Sequence, residues 1–172
     1  TNWSQQAYIK ASNTGGILDG DQFGHDVSLS GDGRTLAIGA IGEDSAASGI
    51  VGEQDDNSAS ERGAVYVYTR NGASWSQQAY LKPREQISAE AISGILFGYS
   101  VGREERGDSL AVGSYKEDDN RGSIYVFERT EGKGSQRARL TASNSEIGDA
   151  LGTDVAISAD GATIVGGAFD ED

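Results

Sequence analysis

The chain has no cysteine and no methionine, one proline and one histidine. Without cysteine there are no disulfides, no thiolate metal sites and no thiol nucleophile. The compartment stays open on that count, because exported proteins also do without cysteine. The missing methionine, absent even at the first position, and the lack of a signal peptide read as a mature product or a piece of a longer chain. Apolar runs are only a few residues long, so no helical segment inserts into a membrane. Basic residues are scarce: 14 Lys and Arg stand against 27 Asp and Glu, a net charge of −13. That balance disfavours nucleic acid and anionic membrane surfaces as partners, since both need a basic footprint. The surplus carboxylates read as a solubilising surface or as holders of divalent cations. No long stretch carries apolar residues at helical spacing. Asn2-Trp3-Ser4 fits the short glycosylation acceptor pattern.

What is abundant is glycine, 25 of 172 residues, about twice ordinary usage, and repetition. Phe23-Gly24-His25-Asp26-Val27 returns as Phe97-Gly98-Tyr99-Ser100-Val101 and as Leu151-Gly152-Thr153-Asp154-Val155. Leu36-Ala37-Ile38-Gly39-Ala40, Leu110-Ala111-Val112-Gly113-Ser114 and Ile164-Val165-Gly166-Gly167-Ala168 follow at a constant 13 residues. Gly63-Ala64-Val65-Tyr66-Val67-Tyr68 is echoed by Gly122-Ser123-Ile124-Tyr125-Val126-Phe127. Trp3-Ser4-Gln5-Gln6-Ala7-Tyr8-Ile9-Lys10 recurs at 75–82, with a worn copy at 134–141. Each block has the length and composition of a strand. The repeat therefore has four strands, and repetition sets the architecture.

The spacings tell how the strands connect. Strand one to strand two is 16 residues from Phe23 to Gly39 and again from Phe97 to Gly113. Strand three to strand four is 12 in both copies. The strand two-to-three interval is 24 in one copy and 9 in the next, and the four-to-one intervals are 20, 22 and 17. Connections in an up-and-down antiparallel sheet alternate between its two edges. The constant turns thus share one edge and the variable loops the other, the arrangement of a binding surface on a rigid scaffold. Strand three is apolar on both faces, so each sheet is covered on both. Small residues in strand two allow close backbone approach. Radially packed four-stranded blades of a β-propeller satisfy these demands.

Asp32-Gly33 and Asp160-Gly161 mark tight hairpin turns. The middle copy has Glu105-Arg106-Gly107-Asp108 there, and Arg103 where the others have Leu29 and Ile157. An inward arginine is costly unless paired, so this blade is expected to be weaker or to open locally.

These blocks resemble the FG-GAP repeat family, found in integrin α-chain propellers and in bacterial surface proteins. Phe23-Gly24 and Phe97-Gly98 match the first half of the motif. Gly39-Ala40 and Gly167-Ala168 match the second, with Ile41 and Phe169 in place of its proline; Gly113-Ser114-Tyr115 is looser. The Trp-Ser-Gln-Gln-Ala-Tyr-Leu-Lys wording and the stretch from Gly42-Glu43-Asp44-Ser45 to Asp56-Asn57-Ser58-Ala59 are similar to the long bacterial version. The resemblance implies seven blades, an extracellular or cell-surface setting, and adhesion or ligand recognition on the loop-rich face. It also implies calcium in the strand one-to-two turn. Here Ser28, Ser30 and Asp32, or Ala156, Ser158 and Asp160, occupy those positions, short of the six to eight oxygens calcium takes.

A second acidic cluster follows strand two in every copy, at Glu43-Asp44, Glu117-Asp118-Asp119 and Asp170-Glu171-Asp172. It reads either as a solvated loop that discourages edge association or as a site for a cation or basic ligand. The candidate ligand-binding residues are Glu43, Asp44, Asp55, Asp56, Glu117, Asp118 and Asp119. The expected fold is all-β, an incomplete propeller of about two full blades plus parts of two others. Its repeats lie at about 23–82, 97–141 and 151–172, with a leading outer strand at 3–12. Nothing points to an enzyme: His25 sits at a repeat position occupied elsewhere by Tyr99 and Thr153, and no Gly-x-Ser-x-Gly elbow, phosphate loop or His-Glu-x-x-His pattern occurs. The expected function is an extracellular binding or adhesion module for a protein or glycan. The alternative is a structural unit of a surface fibre or layer, self-associating through open blades that complete one another.

Overall fold

The computed structural model describes residues 2–13, 20–50, 52–84 and 94–170. Its strands are β1 (Phe23–Leu29), β2 (Thr35–Ala40), β3 (Ala64–Asn71), β4 (Ser74–Leu81), β5 (Val101–Arg103), β6 (Ser109–Ser114), β7 (Ser123–Thr130), β8 (Lys133–Leu140), β9 (Leu151–Ile157) and β10 (Ile164–Ala168). They form two four-stranded sheets, ordered β1-β2-β3-β4 and β5-β6-β7-β8, and a two-stranded sheet of β9 and β10. All neighbours are antiparallel. The protein is nearly all-β: two four-stranded blades, then the first two strands of a third. No described helix is long and apolar enough to cross a membrane.

The blades stack face to face through alternating side chains. Ala37 and Val65 of the first sheet meet Phe97, Val112, Tyr125 and Phe127 of the second in one buried cluster. Ala111 and Ile124, on the opposite face, meet Val155 of the third unit. Each Phe-Gly block places its ring against two aromatics of its own strand three. Phe23 packs edge-on to Tyr66 and Tyr68 with centroids 5.3 and 6.2 Å away. Phe97 does the same to Tyr125 and Phe127 at 5.4 and 6.0 Å. Such edge-to-face pairs add to the burial itself.

Backbone approach sets the spacing of successive blades. A Cβ on Gly39 would fall on the Gly98 carbonyl, and one on Gly113 on the Gly152 carbonyl. The small residues of strand two are therefore required by the neighbouring blade. Main-chain hydrogen bonds tie the blades together as well. Gly31 N–H donates to the Glu105 carbonyl at 2.9 Å, and Glu105 N–H to the Ala159 carbonyl at 3.3 Å. The first strands pack on one another, β1 against β5 and β5 against β9, which is the side on which blades converge.

The expected leading strand at 3–12 differs. Residues 2–10 join no sheet. The outer edge of β3 is taken by β4 and that of β7 by β8, so no strand-three edge is open to this segment among the described residues. It covers the outward face of the first blade instead. Ile9 and Ala11 pack on the cluster of Tyr66, Tyr68 and Tyr80, and the Tyr68 hydroxyl donates to the Lys10 carbonyl at 2.8 Å. Trp3 remains 93% exposed.

Candidate functional site

The two long connections meet at one edge. Residues 41–63 join β2 to β3, and residues 82–100 join β4 to β5; residues 51 and 85–93 lie outside those described. Lys82 N–H donates to the Gly49 carbonyl at 2.9 Å, Gly49 N–H to the Pro83 carbonyl at 3.3 Å, and Leu96 N–H to the Glu61 carbonyl at 3.1 Å. At the next blade, Ala150 N–H reaches the Asn120 carbonyl at 2.8 Å and Leu151 N–H the Arg121 carbonyl at 3.0 Å. The loops of variable length thus share one rim, as the alternation of connections requires.

The seven candidate carboxylates divide into three kinds. Glu43 and Glu117 are buried, 0% and 5% exposed, and neutralised from within. Lys82 Nζ pairs with Glu43 Oε2 and also donates to the Gly63 carbonyl at 2.9 Å. The Tyr125 hydroxyl lies 2.8 Å from both oxygens of Glu117, and Arg139 Nη2 is 2.9 Å from Oε1. As ligand groups these two are corrected: each is a polar anchor between its loop and the outer strands of its own blade. Burial draws the Lys82 ammonium below its usual range, and the Glu43 charge opposes that pull. Burial also raises the phenols of Tyr66 and Tyr80, with Glu43 adding to both.

Asp44 and Asp56 hold the long loop in shape. Asp44 Oδ1 accepts from Glu61 N–H at 2.8 Å. Asp56 accepts from Ala46 N–H at 2.8 Å and from the Ser58 amide and hydroxyl at 3.1 and 3.0 Å, which lowers its carboxyl pKa. Of the seven, Asp55, Asp118 and Asp119 are exposed on the rim, Asp118 with Arg121 Nε 3.7 Å away. Asp118, Asp119 and Asn120 all have left-handed backbone, φ 54°, 56° and 60°, in a single turn at Glu117–Asn120. Asp170 is exposed; Glu171 and Asp172 lie outside the described residues.

The turn where the resemblance implies calcium is closed upon itself. The Ser30 hydroxyl donates to Asp32 Oδ1 at 2.7 Å and accepts from Thr35 N–H at 2.9 Å, and Arg34 N–H donates to Asp32 at 2.9 Å. Ser158 and Asp160 repeat the pattern. In the middle blade Glu104 alone does this work, accepting from the amides of Arg106, Asp108 and Ser109. Among the described residues no group of three acidic or histidine side chains is placed to hold a metal ion.

The rim also carries rings that the acidic pattern did not single out. His25 lies 4.7 Å from Tyr99, and Tyr99 4.5 Å from Tyr115, centroid to centroid. His25 and Tyr99 hold the same position in successive repeats, a signal readable from the alignment of copies. Lys82 was legible as the last residue of a repeated block, but its partner lies 39 residues away. Arg103 lies at the end of β5, which has three residues against seven in β1 and β9. No curated protein matches the chain. Residues 3–68, which run from the leading segment through β3, match the FG-GAP repeat family, and that stretch is an FG-GAP repeat.

Proposed function

We propose that the chain is an extracellular binding or adhesion module that recognises a protein or glycan through the loop-rich rim. The observation that carries this reading is the meeting of the variable loops at one edge of a scaffold whose FG-GAP repeat belongs to a family of propeller binding modules. The exposed carboxylates of Asp118 and Asp119, with the nearby rings of Tyr99 and Tyr115, supply charge and flat apolar area. Carboxylate acceptors and aromatic rings suit a sugar or a basic peptide. The test is an array of glycans and surface proteins probed with and without calcium. Binding that is lost in Tyr99→Ala and in the double variant Asp118→Ala, Asp119→Ala supports the reading. Binding to nothing on the array, or binding indifferent to both variants, refutes it.

A second reading, a structural unit of a surface fibre or layer, draws on the end faces. Val27 and Leu29 on the first blade are 58% and 56% exposed, and Val165 and Phe169 on the last unit 62% and 80%. Exposed apolar patches of this kind mark association surfaces. A mass in solution that stays monomeric at high concentration counts against it.

A further inference from the structure

A cleft of about 460 Å³ opens between the first two blades, reaching from Gly107 and Gly132 of the short turns to Ile50 of the long β2–β3 connection. It lies between β3 and β4 of the first blade and β6, β7 and β8 of the second, while the first strands β1 and β5 are in contact. Its walls are apolar, with Val67 and Ala79 on one side and Leu110 and Phe127 on the other. Its charge runs against that of the chain. Arg103, Arg129 and Lys133 line it against the single carboxylate of Glu128, in a protein of net charge −13.

These charges are not equally engaged. Arg129 is held by Asp108 at 2.9 Å and by Gln78 at 2.8 Å. Glu128 is taken by Arg137 at 2.8 Å. Among the described residues Arg103 donates only to the Gly107 carbonyl, at a long 3.3 Å, and its buried Nε has no hydrogen-bond partner there. No described carboxylate stands within ion-pair distance of it: Glu104 is occupied by three backbone amides, and Asp108 by Arg129. A guanidinium offers five N–H donors in a planar fork, and leaving the buried Nε–H unmet beside apolar walls is costly. The other two repeats place Leu29 and Ile157 at this position, so the scaffold itself does not call for an arginine there.

We propose that this cleft binds a small organic carboxylate, an apolar body ending in one carboxyl group. The carboxylate meets the fork of Arg103 in the bidentate geometry such pairs favour. The body lies between Leu110, Phe127, Val67 and Ala79. The volume falls within the range of small-molecule sites, roughly 300–1,000 Å³.

The test titrates the full chain with cinnamate and, separately, with its neutral amide, followed by calorimetry and by methyl resonances of Val67 and Leu110. The expected result is saturable cinnamate binding that shifts those methyls, with the amide weaker by about tenfold or more, the loss of one charge-assisted contact. Arg103→Gln weakens cinnamate by a similar factor, while Asp154→Asn, exposed on the third unit, leaves it unchanged. Equal binding of acid and amide overturns the proposal, as does absence of saturable binding, or shifts confined to the rim rings of Tyr99 and Tyr115. The comparison of acid with amide needs only the unaltered chain, so it decides the matter even where Arg103→Gln fails to fold.

Discussion

Replacing Lys82 by methionine removes the positive partner of a carboxylate that is fully buried. Methionine fills most of the lysine's volume, so the loss is one of charge rather than of packing. Breaking a buried ion pair from one side costs about 3–5 kcal/mol, against a total stability for a small domain of roughly 5–15 kcal/mol. Among the described residues Glu43 would keep the Ser45 amide on Oε2, at 3.1 Å, and the neighbouring Tyr80 hydroxyl, neither of which carries a positive charge. With a urea slope of about 2 kcal/mol per molar, the midpoint of unfolding should fall by about 1.5–2.5 M. The double variant Glu43→Gln, Lys82→Met should recover most of that loss, because no bare charge is left inside. The corresponding pair of the second blade supplies an internal control. Arg139 is 31% exposed, and the Tyr125 hydroxyl stays on Glu117 after Arg139→Met, so this change should cost about 1–2 kcal/mol. A midpoint shift under about 0.5 M for Lys82→Met, or a larger loss for Arg139→Met than for Lys82→Met, would refute the reasoning that burial sets the worth of each pair.

Other outcomes follow from the same geometry. Phe97→Ala empties the ring site shared by two blades and should cost about 3–5 kcal/mol by denaturant unfolding. Gly39→Ala drives a methyl into the Gly98 carbonyl and should lower the thermal midpoint by about 3–10 °C, the effect of about 1–3 kcal/mol of overpacking. The raised phenols of Tyr66 and Tyr80 contribute stability that is complete below the usual tyrosine value of 10.0 and is lost as pH rises above it. An alkaline absorbance titration should therefore show these two ionising only as the fold opens. The lowered carboxyls of Asp32, Asp56 and Asp160 work in the opposite sense. Their contribution is present above the usual 3.8 and is lost as pH falls through the folded values, so melting points measured below 3.8 should decline, and less steeply in Asp56→Asn.

The blades and their turns were readable because they rest on local rules. Period-two alternation marked Val65 and Val67 against Tyr66 and Tyr68, and the constant 13-residue offset marked the hairpins. The shared rim followed from the parity of antiparallel connections. The roles of Glu43 and Glu117 were not readable, because an acidic loop residue looks the same whether it faces water or a cation from an outer strand. What buries Glu43 is Lys82, reached only when β4 is laid beside β3. The leading segment reads as a strand because its wording matches β4 almost letter for letter, and in this structure it joins no sheet. Strand formation also needs an open edge, and no letter in the segment reports that β3 and β7 are already paired on both sides. Arg103 was visible as an oddity of the middle copy; that its Nε stays unpartnered depended on where Glu104 and Asp108 turn.

Because adjacent units touch through peptide groups at Gly39 with Gly98 and Gly113 with Gly152, as well as through the buried side chains between them, none of these contacts draws on the loops of the rim. A gene can therefore lengthen, shorten or rewrite the rim of one unit without retuning its neighbours. The difference between the 24-residue and 9-residue excursions after strand two is what such modular freedom leaves behind. Glycine stands at the same place in strand two of all three copies, Gly39, Gly113 and Gly167: it is the hinge pin on which interchangeable parts are hung.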